Sequence, residues 1–158
     1  MNKEILFRGK RIDNGEWAEG YIYEHEAPLV CFSNDQKEDS KWYIVQTAFA
    51  DWNMPRNVEM IRVCSDTVGQ YIGKADINGK KIFEGDIIRQ PYSKYQSFDI
   101  IGAVRFNKAA QFVVDHVWTA EQNEWKKGKK KGYAITSDCE IVGNIYDNPE
   151  LLEAHNDQ

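Results

Sequence analysis

The chain has 158 residues, of which 42% are hydrophobic and 28% charged, and its formal net charge is −5. This size fits one domain or two small ones, and it suffices to bury a core without metal or disulfide support. The acidic balance argues against a general nucleic-acid coat protein, although it leaves room for a local basic patch.

The first part of the chain predicts a β-hairpin over residues 5–23. Asp13-Asn14-Gly15 is a strong turn signal between two apolar runs. Beyond this turn, alternation places Trp17, Tyr21 and Tyr23 on one face of the second strand. These rings could form a ligand-stacking surface. Such rows more often pack against a second layer, and we therefore favour packing.

The next residues alternate between short strands and polar connections. Residues 28–32, 42–46 and 58–63 predict strands, because each is a short run rich in β-branched, aromatic or other apolar residues. Residues 33–41 are polar and charged and predict an exposed loop. Residues 47–57 predict a long connection between the last two of these strands.

The stretch from Asp66 to Gln90 predicts a strand, a tight turn and a second strand. The apolar residues of 67–72 precede the reversal at Asp76-Ile77-Asn78-Gly79, and those of 82–88 follow it. Within the second run, Glu84-Gly85-Asp86-Ile87 is similar to the start of a strand in SH3-like barrels. At such a turn the Asp side chain is expected to accept hydrogen bonds from nearby backbone amides.

The remainder of the chain continues the β pattern and closes with a helix. In order, it predicts a polar loop at 91–97, strands at 100–106, 111–118, 132–135 and 139–146, and a short helix after residue 148. Asn148 suits the N-cap position, Pro149 suits the first helical position, and Glu150 lies near the positive end of the helix.

These elements predict a mainly β protein with a β-rich N-terminal half, an SH3-like barrel in the C-terminal half and a short C-terminal helix. Residues 1–158 are expected to form one compact chain. It has a possible subdivision into a β-rich part, 1–65, and a barrel part, 66–158.

The residue types that carry chemistry do not form a recognisable catalytic or metal-binding pattern. The histidines His25, His116 and His155 are far apart, without His-x₃-His or His-Glu-x-x-His spacing. No Gly-x-Ser-x-Gly elbow, phosphate-binding loop or dinucleotide fingerprint is present. We therefore predict no catalytic residue, no metal site and no cofactor, and a protein that is not an enzyme.

Cysteine usage and hydropathy indicate where the protein resides. Cys31, Cys64 and Cys139 form no Cys-x-x-Cys pair, so we interpret them as reduced, buried thiols of a cytosolic protein. The N-terminal residues lack the apolar run of a signal peptide. No segment approaches the roughly 20 apolar residues of a membrane span, so no membrane association is expected.

One basic segment is a candidate contact site for a nucleic acid or a partner. Its residues are Trp125, Lys126, Lys127, Lys129, Lys130 and Lys131. The lysines could grip phosphates while the ring stacks on a base. A solvated hairpin tip is the simpler interpretation, since charge runs usually face water. A third possibility is that this loop meets an acidic surface of a second copy of the chain.

Three blocks of the sequence carry a family resemblance. They are Phe7-Arg8-Gly9-Lys10-Arg11 with Asn14-Gly15-Glu16-Trp17, then residues 67–71, 76–79 and 82–87, and finally residues 141–152. Together they resemble the YopX family, whose members are small proteins encoded by bacteriophages and prophages. The resemblance implies a phage or prophage context, and it assigns no catalytic or binding residue.

We predict a phage- or prophage-encoded accessory protein that acts as a non-enzymatic binding or assembly module. It is expected to be homo-oligomeric, to bind an as yet unidentified protein partner, and to stay in the cytoplasm of the host bacterium. The alternative is a nucleic-acid-binding regulator that uses the basic loop 125–131.

Overall fold

Antiparallel strands make up most of the chain in the computed structural model, which describes residues 4–25, 41–47, 57–93, 96–121, 124–127 and 132–153. For residues 92, 93, 96–98, 116–121, 124–127 and 153 it describes the backbone. The chain divides into two compact units, Met1–Gln70 and Tyr71–Gln158. The many antiparallel strands and the short C-terminal helix confirm the prediction of a mainly β protein. The predicted strand at 28–32, the loop at 33–40 and most of the connection at 47–57 lie outside the described residues.

The first unit is built on an antiparallel sheet. Its strands are β1 (Phe7–Lys10), β2 (Trp17–His25), β3 (Lys41–Thr47) and β4 (Val58–Val63), and their spatial order is β4-β3-β2-β1. The hairpin prediction for residues 5–23 is confirmed, because Lys10 of β1 lies opposite Trp17 of β2. A fifth strand, β5 (Gly69–Ala75), begins in this unit, where Gly69 and Gln70 pair with β1.

The core of the first unit lies on one side of these strands. Ala18, Ile44, Ile61 and Val63 are buried and pack together. Gly20 is buried between them, and a side chain at this position would collide with the carbonyl oxygen of Val45. The glycine therefore allows the backbone of the neighbouring strand β3 to approach β2 closely, and the larger apolar side chains pack around this contact.

The second unit contains the later part of β5, seven further strands and the helix. The further elements are β6 (Lys81–Phe83), β7 (Asp86–Ser93), β8 (Gln96–Phe106), β9 (Phe112–Glu121), β10 (Glu124–Lys127), β11 (Gly132–Ala134), β12 (Glu140–Asn144) and α1 (Glu150–Glu153). Most strands of this unit form one sheet, called here the larger sheet, with the order β10-β9-β8-β7-β12 and with β11 also paired to β9. The core cluster of the unit includes Ile82, Ile88, Val104, Val114 and Cys139.

A sharp turn divides the apolar run at 82–88 into β6 and β7. Gly85 has a φ of 86°, a conformation that favours glycine. The buried carboxylate of Asp86 accepts a hydrogen bond from the N–H of Phe83 at 2.8 Å. The expected bond from the Asp side chain to a backbone amide is thus confirmed. The second strand predicted for this stretch is thus two strands, β6 and β7, joined at the glycine turn.

Asp76 organises the other turn of the central stretch. Its Oδ1 accepts the backbone N–H groups of Asn78 and Lys80 at 2.9 and 2.8 Å, and its Oδ2 accepts that of Ile141 at 3.2 Å. Desolvation acts to raise the pKa of Asp76, but these backbone hydrogen bonds outweigh it and hold the pKa below its usual value. One carboxylate therefore ties the predicted turn at 76–79 to β12.

Two local predictions are wrong, one because of strand pairing and the other because of a local side-chain hydrogen bond. Residues 91–93 and 96–97 are in strands and not in a loop, because β7 and β8 pair Pro91 with Asp99 and Ser93 with Gln96. Residues 94 and 95 lie outside the described residues. Ser65–Thr67 forms a 3₁₀ turn before β5, where Thr67 donates its hydroxyl to the carbonyl of Cys64 at 2.7 Å. Hydrogen bonds of this local kind compete with strand formation.

In the second unit, the strand order of the described residues is open. β10 and β12 stand at opposite ends of the larger sheet, and the described residues include no pairing between them. The SH3-like barrel thus stays a prediction.

The first prediction concerns Asp76→Asn. The new amide would set its NH₂ group against the N–H of Ile141, so we expect a loss of about 1–3 kcal/mol in the free energy of unfolding at neutral pH. The folded-state pKa of Asp76 is lowered, so the wild-type advantage should be full above the ordinary value of 3.8 and should shrink as pH falls below it.

Urea unfolding as a function of pH measures this difference. The exposed Asp66 provides the matched control, because Asp66→Asn should change the free energy of unfolding by no more than about 0.5 kcal/mol. An Asp76→Asn variant as stable as the wild type at neutral pH would contradict the role of this carboxylate.

Candidate functional site

The side of β2, β3 and β4 that faces away from the core carries two cross-strand rows of side chains. One row is Tyr21, Val45 and Met60, and the other is Tyr23, Tyr43 and Arg62. Residues directly opposite each other on neighbouring strands share a face of the sheet, and the core residues occupy the alternate positions. We call these six residues the aromatic face.

The aromatic face exposes its side chains on β2 and β4 to solvent. Tyr21 is 61% exposed, Tyr23 is 45% exposed and Met60 is 50% exposed. The interpretation that the β2 tyrosines pack against a second layer is therefore wrong for Tyr21 and Tyr23. Alternation in β2 separates two faces correctly, but it does not say which of them meets the core. The face with Ala18 and Gly20 does so, because small residues allow β3 to approach.

Ring contacts connect the residues of this face. The rings of Tyr23 and Tyr43 lie 6.4 Å apart between centroids at a tilt of 38°, and those of Tyr23 and His25 lie 6.3 Å apart. Trp17, further along β2, is half-buried, and the guanidinium carbon of Arg8 lies 4.6 Å from its ring centroid. The exposed tyrosines thus share their side of the sheet with a cation–π pair.

The charges on this side of the sheet are mostly positive. By strand register, Arg8 and Lys10 of β1, Lys41 of β3 and Arg62 of β4 share it with the aromatic face, while Glu19 is the acidic residue among the described positions. The whole chain has a net charge of −5, so this side departs from the overall balance. Its local potential favours an anionic partner.

The basic segment lies in a different part of the fold. Trp125, Lys126 and Lys127 belong to β10, where Trp125 pairs with Ala120 and Lys127 with Trp118. These three residues are thus in a strand, which corrects the prediction of a loop. Lys129, Lys130 and Lys131 lie outside the described residues.

The described residues on either side of 128–131 both pair with β9. Lys127 pairs with Trp118, and Gly132 pairs with Asp115.

The thiols differ in their surroundings. Cys139 is fully buried, and desolvation raises the pKa of its thiol. Cys64 is exposed, so the prediction of a buried thiol is wrong for this residue. Cys31 lies outside the described residues, as does His155. Within the described ranges, no group of three or more His, Cys, Asp or Glu side chains could hold a metal ion.

One groove of about 490 Å³ opens in the second unit. Ile72, Phe112 and Ile135 contribute apolar walls to it, and Lys74 lies at its border. The ammonium group of Lys74 donates to the carbonyl oxygen of Ile135 at 2.8 Å, so this cation helps to hold the wall of the groove.

These features define a mainly β protein with a solvent-exposed, cationic aromatic face. Residues 7–153 match the family model described as YopX protein, and the chain belongs to this family. It is also similar to the crystal structure of protein EF1440 from Enterococcus faecalis, with 19% identity, a TM-score of 0.46 and coverage of 96% of this chain and 99% of that one. No curated protein matches it. None of the described helices is long and apolar enough to cross a membrane.

The second prediction tests which side of the sheet is the core. Ile44→Ala removes a buried side chain and should cost about 2–5 kcal/mol in the free energy of unfolding. Tyr21→Thr on the neighbouring strand keeps a good strand former and should change it by about 0.5 kcal/mol or less. Urea denaturation of both variants measures the contrast. A comparable loss in the two would show that the aromatic face is packed.

Proposed function

We propose that the protein is a phage- or prophage-encoded accessory protein of the host cytoplasm that acts as a non-enzymatic binding or assembly module. One observation carries this proposal. Four of the nine exposed large hydrophobic side chains in the described residues, Tyr21, Tyr23, Val58 and Met60, lie on two strands of one sheet. The phage or prophage context is what the resemblance to the YopX family implies.

The composition of the aromatic face supports a binding role. Tyrosine, methionine and arginine are enriched where proteins meet their partners, and large apolar side chains clustered in water often mark interaction sites. Burying the exposed part of Tyr21 and Met60 against a partner would gain hydrophobic free energy that the isolated chain leaves unused. The face needs no reacting group for this role.

Assembly with further copies of the chain is supported by the edge of the sheet. β4 ends the strand order of the first unit among the described residues, and Val58 at its start is 64% exposed. The end of β4 is bonded on its outer edge to residues 10–12, since Arg11 is bridged to Val63 and the N–H of Ile12 donates to the carbonyl of Arg62. The start of the strand, around Val58, lies beyond this bridge, and an edge of this kind can add another strand. Pairing β4 with β4 of a second copy would extend the sheet and leave both of its faces open.

The alternative function is a nucleic-acid-binding regulator that uses residues 125–131. Lys126 and Lys127 support it, because both lie on β10, the terminal strand of the larger sheet in the described residues. Five of the 20 Lys and Arg residues of the chain fall within 126–131. A cluster of this size could make several phosphate contacts.

The third prediction tests assembly. Light scattering over a wide concentration range should give a mass above the 18.3 kDa of one chain. Val58→Lys places a charge on the β4 edge and should return the mass to that of the monomer, since charged residues at sheet edges block strand addition. Ile77→Lys, at another exposed isoleucine, serves as the matched control and should leave the mass unchanged. A mass of 18.3 kDa at every concentration would contradict the proposed assembly.

A further inference from the structure

We propose that the aromatic face binds single-stranded nucleic acid. This inference rests on the proposed function, since it takes the exposed face as a binding surface, and it adds the chemical class of the ligand. It places the ligand on the first unit, whereas the basic segment 125–131 belongs to the second. Two properties of the face carry it, namely the arrangement of its rings and the sign of its charges.

The tyrosine rings form a platform on which bases can stack. Tyr21 and Tyr23 occupy alternate positions of β2, so their attachment points lie about 7 Å apart along the strand. Tyr43 extends the platform onto β3, with its ring 6.4 Å from that of Tyr23. Exposed aromatic side chains on an antiparallel sheet can each receive an unstacked base, whatever its identity.

Cations surround this platform. Arg62 follows Tyr43 in its cross-strand row and is exposed, and Lys41 lies opposite His25 at the end of β2. Lys10 lies on the same side along β1, as does Arg8, which is buried against the Trp17 ring. A sugar–phosphate backbone running past the rings would therefore lie near more cations than carboxylates. Glu19 is the carboxylate on this side.

This combination favours a single strand over a duplex or a second copy of the chain. In a duplex the faces of the bases are stacked on one another, and rings on a sheet cannot reach them. Two copies docked through this face would bring two surfaces with an excess of cations together, and like charges oppose such contact. Among these three partners, only a single strand offers both unstacked bases to the rings and phosphates to the cations.

The fourth prediction uses fluorescence anisotropy with a labelled DNA single strand of mixed sequence and with the duplex of the same sequence. The single strand should bind more tightly. Tyr21→Ala and Tyr23→Ala should each weaken its binding by about 5- to 150-fold. Arg62→Gln should reduce the slope of log K against log salt by about 0.7, the share of one phosphate contact on a single strand.

Two controls make the result specific. Phe106→Ala removes an exposed aromatic side chain of the second unit, where Phe106 is 52% exposed, and should leave binding unchanged. Replacing Lys126, Lys127, Lys129, Lys130 and Lys131 by Gln should also leave stacking-dependent binding in place. Urea midpoints equal to that of the wild type verify that each variant is folded.

Three outcomes would overturn the inference, and each is distinct from failure of the proposed function. They are absence of single-strand binding at low salt, loss of binding in the five-lysine variant but not in the tyrosine variants, and a change of mass without a change of DNA affinity in Tyr21→Ala. The first leaves the assembly test by light scattering unaffected. The second transfers the site to residues 125–131, and the third assigns the face to a second copy.

Discussion

The first unit depends on the close approach of β3 to Gly20 of the neighbouring strand β2. Because a side chain at this position would collide with the Val45 carbonyl, β3 can pack here only against a glycine. This contact sets the side of the sheet on which Ile44 and Ile61 are buried. A strand shifted by one residue would exchange its two faces, so the same contact also keeps Tyr21 and Tyr23 in water. Core packing and the candidate binding surface are thus two consequences of one register.

The second unit depends more on polar anchors than on a single close approach. Asp76 joins its own turn to β12 through three backbone N–H groups, and Asp86 holds the turn between β6 and β7. Buried carboxylates are tolerated where backbone donors satisfy them, and each then specifies one geometry for the chain around it. These anchors lie in the central stretch that also carries the family resemblance.

Sequence patterns predicted the strands well where alternation or an apolar run was clear, as in β4, and where a turn had local chemistry, as at Asp76. They failed where tertiary pairing decided the outcome. Pro91, for example, lies in a strand because β8 pairs with it. Alternation in β2 grouped Tyr21 with Tyr23 but did not reveal that this group faces water. That information resides in the packing of β3 against Gly20, which alternation within β2 alone does not show.

The most direct test of the central claim is photo-crosslinking of the wild-type protein to a single strand that carries 5-bromodeoxyuridine, followed by peptide mass spectrometry. If bases stack on the aromatic face, the crosslinked residues should be Tyr21, Tyr23 or Tyr43, because a ring in contact with the modified base is the nearest partner for the photochemistry. Crosslinks confined to residues 125–131, or to the second unit as a whole, would contradict the account.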